Sequence, residues 1–215
     1  MEENMDNRQK AFAKACDGII ANLKKRNMEG YFYEDSASCV RAILDMIPDG
    51  SSISWGGSAS VQESGMMDAL KNGNYELIDR SLAKTPEEQR EIYGRTVMSD
   101  YYFMSTNAIT YEGELVNIDG NGNRVACLIH GPRHVIIIAG MNKITTTLEG
   151  AFERARTMAC PPNAVRLDKK TPCAATGKCG DCLSPDCFCN QIVVTRRSGH
   201  TGRIKVFLVA EDLGF

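Results

Sequence analysis

The sequence predicts an α/β fold, an open mixed sheet flanked by helices, and three observations carry that reading. Short apolar runs rich in β-branched residues alternate with segments of helical spacing along most of the chain. Residues 135–139 are apolar without interruption, the pattern of a strand covered on both faces and therefore central. Asn107, Thr110, Asn117, Asn121, Asn123 and Lys143 fall at turns and strand ends, where open α/β sheets place their ligand sites.

Residues 8–26 carry Phe12, Ala15, Ile19, Ile20 and Leu23 at helical spacing with lysines opposite, which gives an amphipathic surface helix. Residues 30–33 are short and aromatic and read as an edge strand. Ser36 begins a second helix with Val40, Ile43, Leu44 and Ile47 on one face, and Pro48, Asp49 and Gly50 end it. Residues 51–55 form a strand that runs into a glycine-serine loop. Residues 61–70 are helical up to the stop at Asn72 and Gly73. Residues 75–79 are the next strand, and Thr85 caps a helix with Pro86 at its first position that runs to about Met98.

Residues 101–104 give a further strand. Residues 114–118 then alternate as a half-buried strand, 119–123 supply a Gly/Asn turn, and 124–129 read as the returning strand of a hairpin. A helix over 148–158 is expected behind the central strand, broken by Pro161 and Pro162. Residues 191–196 and 203–210 are two more strands. The expected organisation is one domain over residues 1–215, with a cysteine-rich insertion at about 171–190 and no internal repeat.

With 215 residues the chain is long enough to bury a sizeable core. Lysine and arginine number 25 against 27 acidic residues, without a long run of either sign, so neither nucleic acid nor a membrane surface is indicated. No run of 18 apolar residues occurs and the opening MEENMDNRQK lacks the apolar core of a secretion signal, so a cytoplasmic protein is expected.

Two stretches carry chemistry. Gly56, Gly57, Ser58, Ala59 and Ser60 join a strand to a helix with small residues whose amides can approach a phosphate or carboxylate. Neither the P-loop lysine nor GxGxxG spacing is present, and a plain serine-capped turn is the competing reading. Glu63 lies one turn on, as a ligand group or as a carboxylate favoured by the helix dipole. The second stretch holds Cys173, Cys179, Cys182, Cys187 and Cys189 within seventeen residues. Only Cys179 and Cys182 form a Cys-x-x-Cys pair, which favours an iron-sulfur cluster over zinc, with unliganded structural thiols the remaining reading. Cys16, Cys39 and Cys127 sit in periodic segments and read as core; Cys160 is undecided. His130, His134 and His200 build no recognisable nucleophile motif, while Glu63, Glu112 and Asp119 are candidate acid/base groups.

Several segments together resemble the LUD-domain family, the lactate-utilisation proteins, over nearly the full chain. They are Trp55-Gly56-Gly57-Ser58 with Glu63 and Gly65, STNAIT at 105–110, GELVNIDG at 113–120 with Gly122-Asn123-Arg124-Val125, Gly140 with Asn142-Lys143, Ala159 with Pro161, Asn163 and Ala164, and the cysteine loop. The resemblance implies a fold similar to ribose-5-phosphate isomerase, glucosamine-phosphate deaminase and CoA transferases, and a role in bacterial lactate (2-hydroxy acid) oxidation. It also implies a small anionic ligand (carboxylate, phosphate or CoA-like) at the glycine-serine loop, with Asn107, Asn123 and Lys143 around the same cleft. In the subgroup the chain resembles most, the pattern matches Cys173, Cys179, Cys182 and Cys189, the expected ligands of a 4Fe-4S cluster, with zinc as the alternative. Cys187 stands where an arginine is more usual, either a spare thiol or an alternative ligand.

Two functional classes survive. One is a redox subunit or enzyme working with other lactate-oxidation subunits. The other is a non-catalytic anion-binding or regulatory module whose cysteine loop is a structural or redox-sensing clip. A homo-oligomer is compatible with either.

Overall fold

The computed structural model describes residues 5–215. Asp6 opens helix α1 (Asn7–Lys25) with a capping box, its carboxylate accepting from Gln9 N while the Gln9 side chain accepts from Asp6 N. Strand β1 (Glu29–Tyr33), helix α2 (Ser36–Leu44) and strand β2 (Ser52–Trp55) follow as the periodicity requires. The segment read as one helix over 61–70 is two, α3 (Ala59–Glu63) and α4 (Met66–Lys71), because Gly65 takes a left-handed conformation at φ 79°. After β3 (Glu76–Ile78), Thr85 and Glu88 form the second capping box, on α5 (Pro86–Val97).

Strands β4 (Tyr101–Met104), β5 (Ala108–Thr110) and β6 (Leu115–Asp119) lead to the first correction. Residues 124–129 are not a returning strand but lie in a helix, α6 (Asn123–Ile129), entered through Gly122 at φ 81°. Its apolar residues Val125, Cys127 and Leu128 are buried, and a six-residue run cannot by itself distinguish such a helix from a strand. The partners of β6 are β5 and a distant strand, not the residues that follow it.

β7 (His134–Gly140) is followed by a short β8 (Ile144–Thr145), α7 (Leu148–Arg154), a π turn over Ala155–Ala159 and α8 (Cys160–Arg166). Pro161 and Pro162 therefore do not break the helix here. They fall in the first turn of α8, which follows the π turn directly, and the helical run from Leu148 to Arg166 continues through them. The cysteine loop contains one short helix, α9 (Pro172–Thr176), and the chain ends with β9 (Gln191–Thr195) and β10 (Ile204–Val209).

The strands make two sheets. The larger has the order β1-β10-β7-β4-β2-β3 with every pairing parallel, so β7 is interior as its sequence demands. Its side chains divide by parity: Val135, Ile137 and Ala139 pack with Phe12, Ile19 and Leu23 of α1, whereas Ile136 and Ile138 pack with Ile43 of α2 and Leu70 of α4 on the other face. The smaller sheet, β8-β5-β6-β9, pairs β6 antiparallel to both β5 and β9, and β5 parallel to β8. α7 and the π turn cover this smaller sheet, with Ala151 and Ala155 against Ala108, Val116 and Ile118, rather than lying behind β7.

Arg203, just before β10, is 8% exposed and donates to the carbonyls of Cys127, Leu128 and Pro132 at 2.7, 2.7 and 2.9 Å. It thereby satisfies the C-terminal end of α6 and pins that helix to the large sheet. Arg203→Met is expected to cost about 3 kcal/mol, as loss of charged hydrogen bonds that leaves buried carbonyls unpaired. Urea unfolding should show a lower midpoint at unchanged slope; an unchanged midpoint would contradict that role.

Candidate functional site: a cation-rich cleft beside a cysteine loop

Because all six strands of the large sheet run parallel, their C-terminal ends open on one side. There the chain leaves β2 at Gly56, β4 at Ser105, β7 for Lys143 and β10 for Phe215, and a cleft of about 470 Å³ lies among these segments. Gly57, Ser58, Ala59, Ser60, Asn107, Asn123 and Lys143 line it, so the sequence reading placed most of its ligand set in one cavity. Two of its residues stand outside the lining. Gly56 is buried beneath it, and the Glu63 carboxylate is taken by the Gly214 amide at 2.5 Å.

Side chains stand close to both glycines. A Cβ on Gly56 would meet Tyr102 Oη at 3.0 Å and Arg124 Cδ at 3.2 Å, and one on Gly57 would meet Arg80 Nη2 at 2.8 Å. Two arginine side chains thus cross the loop where a side chain would otherwise stand. Ser58 caps α3, its hydroxyl accepting from Val61 N at 3.3 Å, and Ser60 donates to Leu213 O at 3.0 Å.

Arg124 forms the floor. Its guanidinium pairs with Asp119 at 3.1 Å and donates to Asn117 Oδ1 at 2.5 Å, Asn107 Oδ1 at 3.3 Å, Ile118 O at 2.8 Å and Ser105 O at 3.2 Å. Asn107 is accordingly committed to the fold, since its Oδ1 also accepts from Ile118 N at 2.9 Å. The Asn123 side chain makes no hydrogen bond among the described residues and faces the cleft unengaged.

Charge in the cleft is unbalanced toward cations. Arg80, Arg124, Lys143, Arg166 and Lys169 line it against Asp119 and Asp186. Asp119 is held by Arg124 and Asp186 by Lys169 at 2.9 Å, while Arg166 donates to Asn163 Oδ1. Arg80 has no carboxylate partner among the described residues. The sequence reading did not assign these arginines to the site because single basic residues at positions 80, 124 and 166 carry no spacing signal.

Lys143 is 3% exposed, with Nζ donating to Phe215 O at 2.5 Å. Burial pushes its amine down to about 7, with Arg154 and Arg124 adding to the effect and Glu63 opposing it. Of the other acid/base candidates, Glu112 lies in a separate groove with Lys25, Arg26, Arg196 and Arg197. None of the three histidines lines the cleft, and His134 stacks on Tyr101.

The cysteine loop forms the opposite wall. Cys187 and Phe188 line the cleft, Phe188 packs against Gly120, and Asn190 binds the Asp119 carbonyl through its amide at 3.0 Å. Thr171 caps α9 and lies 3.1 Å from Cys173 Sγ; Cys182 Sγ is 3.4 Å from Ser184 Oγ. Cys16, Cys39 and Cys127 are core thiols as expected, with burial pushing them up to about 12, about 12 and about 11. Cys160 is different. Cys189 Sγ donates to its sulfur at 3.6 Å, and this bond holds the Cys160 thiol below its ordinary range while raising that of Cys189. Among the described residues no three His, Cys, Asp or Glu side chains converge in metal-ligating geometry. The donor chemistry nonetheless suits a soft metal: six thiols, counting Cys160, lie on one loop and the helix beside it, and Cys160 has Cys173, Cys179 and Cys189 as electrostatic neighbours.

The model of the LUD domain family matches residues 16–209. A crystal structure of a DUF162 family protein from Deinococcus radiodurans is similar at a TM-score of 0.52 and 12% identity, covering 92% of this chain and 98% of that one, which shows a shared fold. eIF2B delta from Chaetomium thermophilum gives 0.36 at 14% identity over 72% of this chain and 64% of that one, a similarity too low to carry an argument. No curated protein matches.

The Lys143 amine generates a pH prediction. Unfolded, it keeps its proton up to its ordinary 10.5, whereas folded it loses it near 7. Between those values the unfolded chain binds more protons, so this group makes stability rise with pH across the window. Lys143→Met should abolish that rise. Urea unfolding of both proteins from pH 6 to 10 checks it, and parallel pH profiles for the two would contradict it.

Proposed function

Because the chain belongs to the LUD-domain family, we propose that it serves lactate or related 2-hydroxy-acid utilisation, binding a small anion in the cleft and carrying a 4Fe-4S cluster on the adjacent cysteine loop for electron transfer. The observation that carries the reading is the shared wall: Cys187 and Phe188 belong to the cysteine loop and line the cation-rich cleft. A carboxylate or phosphate there meets Arg80, the one cleft arginine with neither a carboxylate nor a side-chain amide partner among the described residues. Asn123 offers an amide. An arriving anion also favours the protonated form of Lys143, so the buried amine answers a negative ligand with positive charge.

In this proposal Cys173, Cys179, Cys182 and Cys189 hold the cluster, which when bound supplies one-electron chemistry. Pro172, Gly177 and Gly180 bend the loop around it, Gly177 at φ 72°. The chain's own part is to bind and orient the anion, and the electrons pass to or from other lactate-oxidation subunits. No flavin or nicotinamide motif occurs in the sequence. No helix among the described residues is long and apolar enough to cross a membrane, and the setting proposed is the cytoplasm.

One observation favours a second reading, a zinc-clipped anion-binding or regulatory module. Two thiolates on a single tetrahedral zinc stand about 3.8 Å apart when each Zn–S bond is about 2.3 Å, and Cys160 and Cys189 are separated by 3.6 Å. Purification without oxygen, with iron, acid-labile sulfide and zinc counted per chain, separates the two. Iron with matching sulfide, reduced by lactate when partner subunits are added, is the expected result. Stoichiometric zinc without sulfide would overturn it.

A further inference from the structure

Cys160 is the thiol of this group that lies outside the cysteine-rich loop. It is the first residue of α8, immediately after the π turn Ala155–Ala159, and at 4% exposure it packs with Ala151 and Ala155. A buried thiol in an apolar cluster needs no function. This one faces the Cys189 sulfur at 3.6 Å, and the two are 29 residues apart.

Both partners are held independently of the loop between them. Cys160 is fixed by its helix. Cys189 adjoins Asn190, whose amide binds Asp119 O at 3.0 Å and whose side chain binds Gly120 O at 3.1 Å, so the end of the loop is anchored to the small sheet. Their separation is a property of two packed elements and not of a mobile chain. Sulfurs on one metal atom at about 2.3 Å each would be about 3.8 Å apart. A metal bonded to Cys189 on the side that faces Cys160 is therefore within bonding reach of both sulfurs.

We propose that Cys160 is a ligand of the metal group, sharing with Cys189 a single metal position that either thiolate can fill. The proposal rests on the metal reading of the cysteine loop. In the exchange the Cys160 sulfur–metal bond forms and the Cys189 sulfur–metal bond breaks, the proton leaving Cys160 ends on Cys189, and no electron moves. A chain that loses one of the two sulfurs to oxidation or alkylation keeps its metal through the other.

The test uses the full chain, purified without oxygen, as wild type and as Cys160→Ser, Cys189→Ser and the double variant. Iron, sulfide and zinc are counted, and the reduced, metal-stripped proteins are titrated with Co(II), read by the thiolate-to-cobalt charge-transfer band. Cys160→Ala, which suits the apolar cluster, guards against a folding defect from serine, and circular dichroism checks the fold. Each single variant should keep most of its metal with a shifted spectrum, and the double variant should keep almost none. Loss in Cys189→Ser as complete as in the double variant overturns the shared position while leaving the metal reading intact, and so does retention in the double variant. A wild type that carries no metal and takes up no Co(II) removes both.

Discussion

The guanidinium of Arg124 is the interaction on which the site depends. It stands at the seam of the two sheets and binds, in one plane of donors, the segment after β4, the last residues of β6 and the Asp119 carboxylate. Few side chains other than arginine can do this, because N–H donors in a fixed fork must meet acceptors from two segments at once. The pair with Asp119 is largely out of water, at 15% and 8% exposure, so removing either partner would strand the other charge. The same side chain passes under Gly56, where a Cβ would stand 3.2 Å from its Cδ. Its charge is spent on the fold, so any net positive field in the cleft comes from Arg80, Arg166 and Lys143.

Asp119 then carries the arrangement outward. Its side chain holds Arg124 and the Gly122 amide at 2.9 Å, and its carbonyl holds Asn190, which adjoins Cys189. One residue thus joins the cleft floor, the entry to α6 and the end of the cysteine loop. Contiguous hydrogen bonds through Asp119 thus link the end of the cysteine loop to the cleft floor.

Much of this was legible in the sequence where a local pattern is also the cause of the structure. α1, α2 and α5 have amphipathic spacing and side-chain caps, and β7 is apolar on both parities because both of its faces are covered. The errors arise where the cause is remote. β6 looked like half of a hairpin, but its other neighbour is β9, more than seventy residues on. The prolines after Cys160 looked like a stop, yet the helical run passes through them just after a π turn. Residues 57–60, Asn107, Asn123 and Lys143, named from the sequence, do stand along one cleft. Arg80, Arg124 and Arg166 were invisible because only tertiary structure gathers them, and Cys160 gave no signal because its partner lies 29 residues away.

The central claim is that the anion cleft and the thiol-held metal group form one unit through their common wall. The most direct measurement is the electron paramagnetic resonance spectrum of the anaerobically purified, dithionite-reduced protein, recorded with and without saturating lactate or inorganic phosphate. The account predicts a changed spectrum with whichever anion binds, because the loop that carries Cys187 and Cys189 also lines the cleft. An identical spectrum with the anion demonstrably bound would contradict it.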